Sequence, residues 1–135
     1  MHNHITLYQL NNLIKETLDK NLSHSYWVVA EIGEIRMAQK GHCYLELVEK
    51  EDENLCAKIK ANIWAYTYRN ICGWFESITG KSLRPGMKIL AQVAVSFHEV
   101  YGISLNVKDI DPNFTLGERS LKKQRVINQL KEEGV

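Results

Sequence analysis

Five stretches of this chain alternate apolar and polar residues with a period of two, and one stretch between the third and the fourth does not. That order constrains the fold more than any other feature of the sequence. The first stretch runs from Tyr26 to Met37; Val28, Ala30 and Ile32 share one parity and Ile35 and Met37 the other, so Gly33 falls where a bulge resets the two faces. The second, His42 to Glu49, sets Cys43, Leu45 and Leu47 against Tyr44 and Glu46. The third, Leu55 to about Tyr66, sets Leu55, Ala57, Ile59, Ala61 and Ile63 against Lys58, Lys60, Asn62, Trp64 and Tyr66. The fourth carries Met87, Ile89, Ala91, Val93, Val95 and Phe97, and after a turn over His98 to Gly102 the fifth carries Ile103, Leu105 and Val107. Residues 67–83 lose this period: Ile71, Trp74, Phe75 and Ile78 recur at i, i+3, i+4 and i+7, which predicts a helix closed by the turn Arg84-Pro85-Gly86.

Two more helices flank the strands. Leu7, Leu10, Ile14 and Leu18 predict an amphipathic helix over about residues 6–20, with Thr6 and Gln9 spaced as a capping box. After Pro112 ends the sheet, Thr115-Leu116-Gly117-Glu118 has the same capping form and predicts a polar helix beyond it. The fold class expected is all-β with flanking helices, a β-rich α+β arrangement. Its helix between strands three and four is the order of the five-stranded OB-fold barrel. The predicted division is a domain over 1–114 and the start of a linker helix over 115–135. Trp27, Trp74 and Phe75 are expected to pack in the core or under a helix.

The remaining composition mostly excludes. The chain has 135 residues, 44% of them hydrophobic, enough for one domain with a core. No apolar run approaches the roughly 20 residues of a membrane span and no signal-peptide core follows the N-terminus, so a soluble, cytoplasmic protein is expected. Three cysteines, Cys43, Cys56 and Cys72, without a C-x-x-C pair suggest small, partly buried thiols, neither a disulfide framework nor a zinc site. His2, His4 and His24 offer no third ligand, and no metal or cofactor is expected. Nucleophile elbow, P-loop and H-E-x-x-H are all missing, and Glu49, Glu51, Asp52 and Glu53 read as a solvated hairpin tip, so no catalytic residue is assigned. The net charge of +1 means that a grip on nucleic acid must come from the distribution of charges and not from their sum.

That distribution is most uneven on strand three. One face is small and apolar; the other carries Lys58, Lys60, Asn62, Trp64 and Tyr66, cations for phosphates and flat rings on which bases stack. In an OB-fold, strands two and three and the loops joining strands one to two and four to five form the binding surface. Strand two adds Tyr44, with His42 at its start; the loop before it adds Arg36 and Lys40; Arg69 follows strand three; and the loop between strands four and five adds His98 and Tyr101. These twelve residues are the expected nucleic-acid-binding set, and Glu46 is a charge of the wrong sign among them.

Four segments in order also resemble a known family: Ile5 to Lys15 (ITLYQLNNLIK), Trp27 to Ile32 (WVVAEI), Gly41 to Leu47 (GHCYLEL), and Arg84 to Ile89 (RPGMKI) running on through Val95-Ser96-Phe97. Together they are similar to the opening domain of exonuclease VII large subunits, and the tail from Leu116 to Val135 resembles that family's linker helix. The resemblance implies an OB-fold that binds single-stranded DNA and presents it for degradation to oligonucleotides. The catalytic region then lies later in the chain than this sequence reaches, and the partner is a small helical subunit. Positions mapping onto the family's binding face are His42, Tyr44 and Trp64. One departure is that the aromatic is followed by Ala65, and the nearest arginine is Arg69. The competing expectation is a scaffolding domain whose aromatic face docks on another domain or subunit.

Overall fold

A computed structural model describes residues 2–118. Its elements follow the predicted order: α1 (Leu7–Asn21), β1 (Tyr26–Met37), β2 (Cys43–Glu51), β3 (Asn54–Ile63), α2 (Ala65–Thr79), β4 (Lys88–His98) and β5 (Gly102–Ile110). The strands close into a barrel in the order β1-β2-β3-β5-β4. β1 serves two partners, pairing with β4 from Tyr26↔Val93 to Glu31↔Lys88 and with β2 from Glu31↔Val48 to Met37↔Cys43. A short parallel ladder between β3 and β5, Ala61↔Leu105 and Asn62↔Asn106, shuts the barrel.

Closing a five-stranded sheet requires sharp bends, and three ladders contain a register shift that supplies one. Gly33 is the extra residue in β1, as its sequence context predicts. A Cβ there would stand 3.1 Å from Val48 Cγ1, so any larger residue would have to push that side chain of β2 aside. Cys56 is the extra residue in β3 and Lys108 in β5. The bulge at Cys56 overturns one expectation: Leu55 pairs with Lys50 and not with Glu51, which turns it away from the face of Ile59, and it is 57% exposed. Ile59, Ala61 and Ile63 do line the interior, where Ile32, Leu45, Leu47, Ile89, Val93 and Val107 meet them.

α2 plugs the barrel with Ile71 and Phe75, both in the core cluster, and stops at Gly80, whose left-handed φ of 72° a side chain would resist. It begins earlier than its periodicity predicts, because the β2–β3 ladder ends at Cys43↔Ile63 and Trp64 is already its N-cap. Phe75 packs as expected, but Trp74 on α2 and Trp27 on β1 stay about half exposed. At the N-terminus the capping box forms, with Gln9 N–H donating to Thr6 Oγ1 at 3.1 Å and Thr6 N–H to Gln9 Oε1 at 2.8 Å. α1 nevertheless buries none of its residues; it meets the barrel through Asn11, which donates to the Glu99 carbonyl at 2.8 Å, and Lys15, 3.6 Å from the Glu99 carboxylate.

After β5, residues 112–118 are helical. Asp111 Oδ1 accepts from Asn113 N–H at 2.9 Å, so the helix opens three residues before the predicted capping box, and Thr115 instead donates to the Lys88 carbonyl from a buried position. Pro112 suits the first helical turn, where no amide partner is lost. The rest of the predicted linker helix lies outside the described residues. Among those described, no helix is long and apolar enough to cross a membrane.

Candidate nucleic-acid interface

The bulge at Gly33 decides what the outer surface of the barrel carries. By adding one residue it brings Glu34 and Arg36 onto the side of the sheet shared with Tyr44 and Glu46. The register then lays out two rows across β1, β2 and β3: Arg36, Tyr44 and Asn62 in one, Glu34, Glu46 and Lys60 in the next. A shallow groove of about 530 Å³ is lined by Glu34, Arg36, Tyr44, Glu46 and Lys60 of these rows together with Pro85. The Arg36 guanidinium lies 5.2 Å from the Tyr44 ring centroid, close enough for a cation–π contact that holds both side chains in place.

The cations on β3 are not equivalent. Lys58, itself exposed, stands 3.4 Å from the partly buried Glu46 carboxylate, which offsets part of its charge. Lys60, opposite Glu46 in the register, makes no ion pair among the described residues, nor do Arg36, Lys40 and Arg69. Asn62, expected on the open face, is half-buried beside the β5 junction, and its Nδ2 is covered without a hydrogen-bond partner among the described residues. Glu34 belongs to this surface as well and was missed by the sequence reading. Its signal was available, since counting parity past Gly33 places it one step from Arg36.

Trp64 and Tyr66 are corrected. Neither is on strand three: Trp64 is the N-cap of α2 and Tyr66 lies in its first turn, next to Arg69 at the i+3 position. Trp64 remains about half exposed and Tyr66 largely so. The loop between β1 and β2 reaches Trp64 from the other side. It is closed by Ala38 N–H to the His42 carbonyl at 2.8 Å and Gly41 N–H to the Ala38 carbonyl at 3.0 Å. Gly41 takes a φ of 85°, and a Cβ there would stand 3.4 Å from Ala65 Cβ. From this loop His42 Nδ1 accepts the Ala65 amide at 3.0 Å, while its ring meets the Trp64 indole edge to face at 5.0 Å and 84°.

His98 and Tyr101 sit elsewhere. Because β5 runs parallel to β3, the turn before it lies toward the Asn54 end of β3, away from Trp64. There His98 Nδ1 accepts from Val100 N–H at 3.0 Å, and the two rings stack 4.7 Å apart with Tyr101 almost fully exposed. Thus Arg36, Tyr44, His42 and Trp64 are held in contacting pairs at the loop end of the sheet, Lys40 and Arg69 belong to the loop and helix that flank them, Lys58 and Lys60 lie along β3, and His98 with Tyr101 forms a separate tip.

The thiols lie off this surface. Cys43 is buried and its pKa is pushed up to about 11, chiefly by burial and further by neighbouring Cys72. Cys56, at the bulge, is exposed and not partly buried as expected, with Sγ 3.3 Å from the Glu49 carbonyl. No group of three or more His, Cys, Asp or Glu that could hold a metal ion occurs among the described residues.

Comparison with known proteins agrees with the fold. The family model described as the OB-fold nucleic acid binding domain matches residues 5–111, from just before α1 to the end of β5. Over 136 aligned positions, the chain is 30% identical to the exodeoxyribonuclease 7 large subunit of Deinococcus radiodurans, an alignment that takes in 96% of this chain and 32% of that relative. The chain therefore spans about a third of the relative's length.

Proposed function

Because the chain belongs to the family of OB-fold nucleic-acid-binding domains, we propose that it binds single-stranded DNA across the outer face of β1, β2 and β3. Bases stack on Trp64 and Tyr44 while Arg36, Lys40, Lys60 and Arg69 take phosphates. The observation that carries this reading is the pair of aromatic contacts at the loop end of the sheet, Arg36 on Tyr44 and His42 on Trp64. An aromatic already held in position loses little side-chain freedom when a base stacks on it, and cations beside it offset the phosphates. Single strands suit the surface better than duplex: the groove is shallow, its rings are half exposed, and a duplex offers no free base faces to stack on them.

The relative's name supports the wider role. In this reading the domain is the DNA grip of an exodeoxyribonuclease VII-type large subunit, delivering single strands to a catalytic region elsewhere in the enzyme, which works with a small helical subunit. It binds without cutting, and incubation with end-labelled single-stranded DNA, with and without Mg²⁺, is expected to leave the substrate intact.

Trp64→Ala tests the assignment. Affinity for oligo-dT, measured by fluorescence anisotropy, is expected to fall by roughly 1 to 3 kcal/mol with the fold retained. An unchanged affinity in a folded variant overturns the stacking role. Log affinity should also fall linearly with log salt, as phosphate contacts require and a protein interface of mixed charge does not.

A further inference from the structure

The N-terminus of α2 lacks the side chain that usually completes it. Its N-cap is Trp64, which has no oxygen to offer, no side chain of its own segment caps the helix, and its first turn holds no acidic residue. The acceptor comes instead from 23 residues away, from His42 Nδ1 to the Ala65 amide at 3.0 Å. An accepting Nδ1 carries no proton, so the neutral ring bears its hydrogen on Nε2.

We propose that His42 is the positioning residue of the nucleic-acid interface, holding the Trp64 indole in its stacking orientation by capping α2 across the loop. This rests on the reading of Trp64 as a base-stacking platform. The hydrogen bond fixes the amide immediately after Trp64 and thereby the backbone from which the indole projects, extended at φ −63° and ψ 150°. The edge-to-face contact at 5.0 Å then limits the indole's rotation on the side of the loop. The loop holding His42 is itself closed by two backbone hydrogen bonds, and Gly41 lies against Ala65, so the acceptor is held in place before any ligand arrives. The arrangement makes the strand two entrance and the helix entrance one mechanical unit. A ligand that stacks on Trp64 meets a ring already oriented.

The test is a double-mutant cycle on the whole chain, read by oligo-dT affinity and by the ¹⁵N–¹H resonance of the Trp64 indole. Trp64→Ala alone measures the platform, with an expected loss of about 5- to 150-fold. His42→Ala is expected to weaken binding by a comparable factor, to broaden the Trp64 indole resonance, and to lower Tm by about 2 to 8 °C. The double variant should bind no more weakly than Trp64→Ala, because His42 acts only through Trp64. His42→Asn, which keeps an acceptor near the place of Nδ1, should restore both affinity and resonance, whereas His42→Phe, which keeps a ring but no acceptor, should not. Losses that add, unchanged affinity in His42→Ala, or rescue by Phe in place of Asn overturn the positioning role while leaving the platform standing. Unchanged affinity in Trp64→Ala overturns the platform and this proposal with it. If His42→Ala does not fold, the Asn and Phe variants decide the matter by themselves.

Discussion

The two ends of the β2–β3 ladder are built from the same alternating pattern and behave differently. At the end marked by Cys43↔Ile63, both partners are fully buried, the ladder runs into α2, and the neighbouring loop is tied to the helix through His42. At the other end Glu51↔Asn54 closes a two-residue turn in which Asp52 and Glu53 both take positive φ, of 51° and 68°, and Leu55, Cys56 and Ala57 are all exposed. What separates them is closure. β3 pairs with β5 only at Ala61 and Asn62, and β2 pairs with β1 no further than Val48, so beyond the Val48↔Lys58 pair the hairpin is a two-stranded arm. Alternation therefore sets which way a side chain points, and the third partner sets whether anything lies in that direction.

The largest effect expected from this comparison comes from truncating equivalent positions at its two ends. Ile63→Ala removes a side chain with no exposed surface and should destabilise the fold by about 2 to 5 kcal/mol. Leu55→Ala, at a position of the same sequence parity but 57% exposed, should stay within about 0.5 kcal/mol. Urea denaturation of the two variants separates them. A cost at Leu55 approaching that at Ile63 means that the arm packs against something, and the contrast between the ends collapses.

Next in size is strain in the arm itself. Paired positive-φ residues favour Asn or Asp at the first place and Gly at the second, and here Glu53 occupies the second. Glu53→Gly should stabilise the protein by about 1 kcal/mol, the left-handed penalty removed less the added freedom of the unfolded chain. A denaturation midpoint that stays or falls shows that the turn does not hold this geometry in solution.

The same comparison explains what the sequence disclosed. Element order was legible because each strand keeps its period for at least three apolar positions, and the Gly33 bulge because glycine marks a close approach and the parity visibly changes across it. The Cys56 bulge was silent. The run Leu55, Ala57, Ile59 looks continuous, and nothing in a cysteine announces an extra residue, so Leu55 was read onto the wrong face. Trp64 and Tyr66 continued the alternation of β3 beyond its last ladder pair, because two residues cannot distinguish a strand's end from a helix's entry. The Arg36–Tyr44 contact was within reach of parity counting. The His42–Ala65 bond was not, since it joins two loops whose meeting depends on the barrel being closed.

The smallest effect, and the one that divides the groove most finely, concerns Glu46. Its carboxylate holds Lys58 at 3.4 Å and faces Glu34 directly across the β1–β2 ladder. Glu46→Gln loses a partly exposed ion pair worth about 0 to 1 kcal/mol and relieves a like-charge opposition of similar size, so stability should change by less than about 0.5 kcal/mol. Binding should respond in one direction only. Lys58 becomes free for a phosphate and a repelling charge leaves the groove, so oligo-dT affinity rises and the slope of log affinity against log salt steepens by about 0.7, the value of one added contact on a single strand. Higher affinity without a steeper slope assigns the gain to removed repulsion and leaves Lys58 outside the path of the backbone. In that case the phosphates follow Arg36, Lys40, Lys60 and Arg69, and Lys58 serves only to balance Glu46.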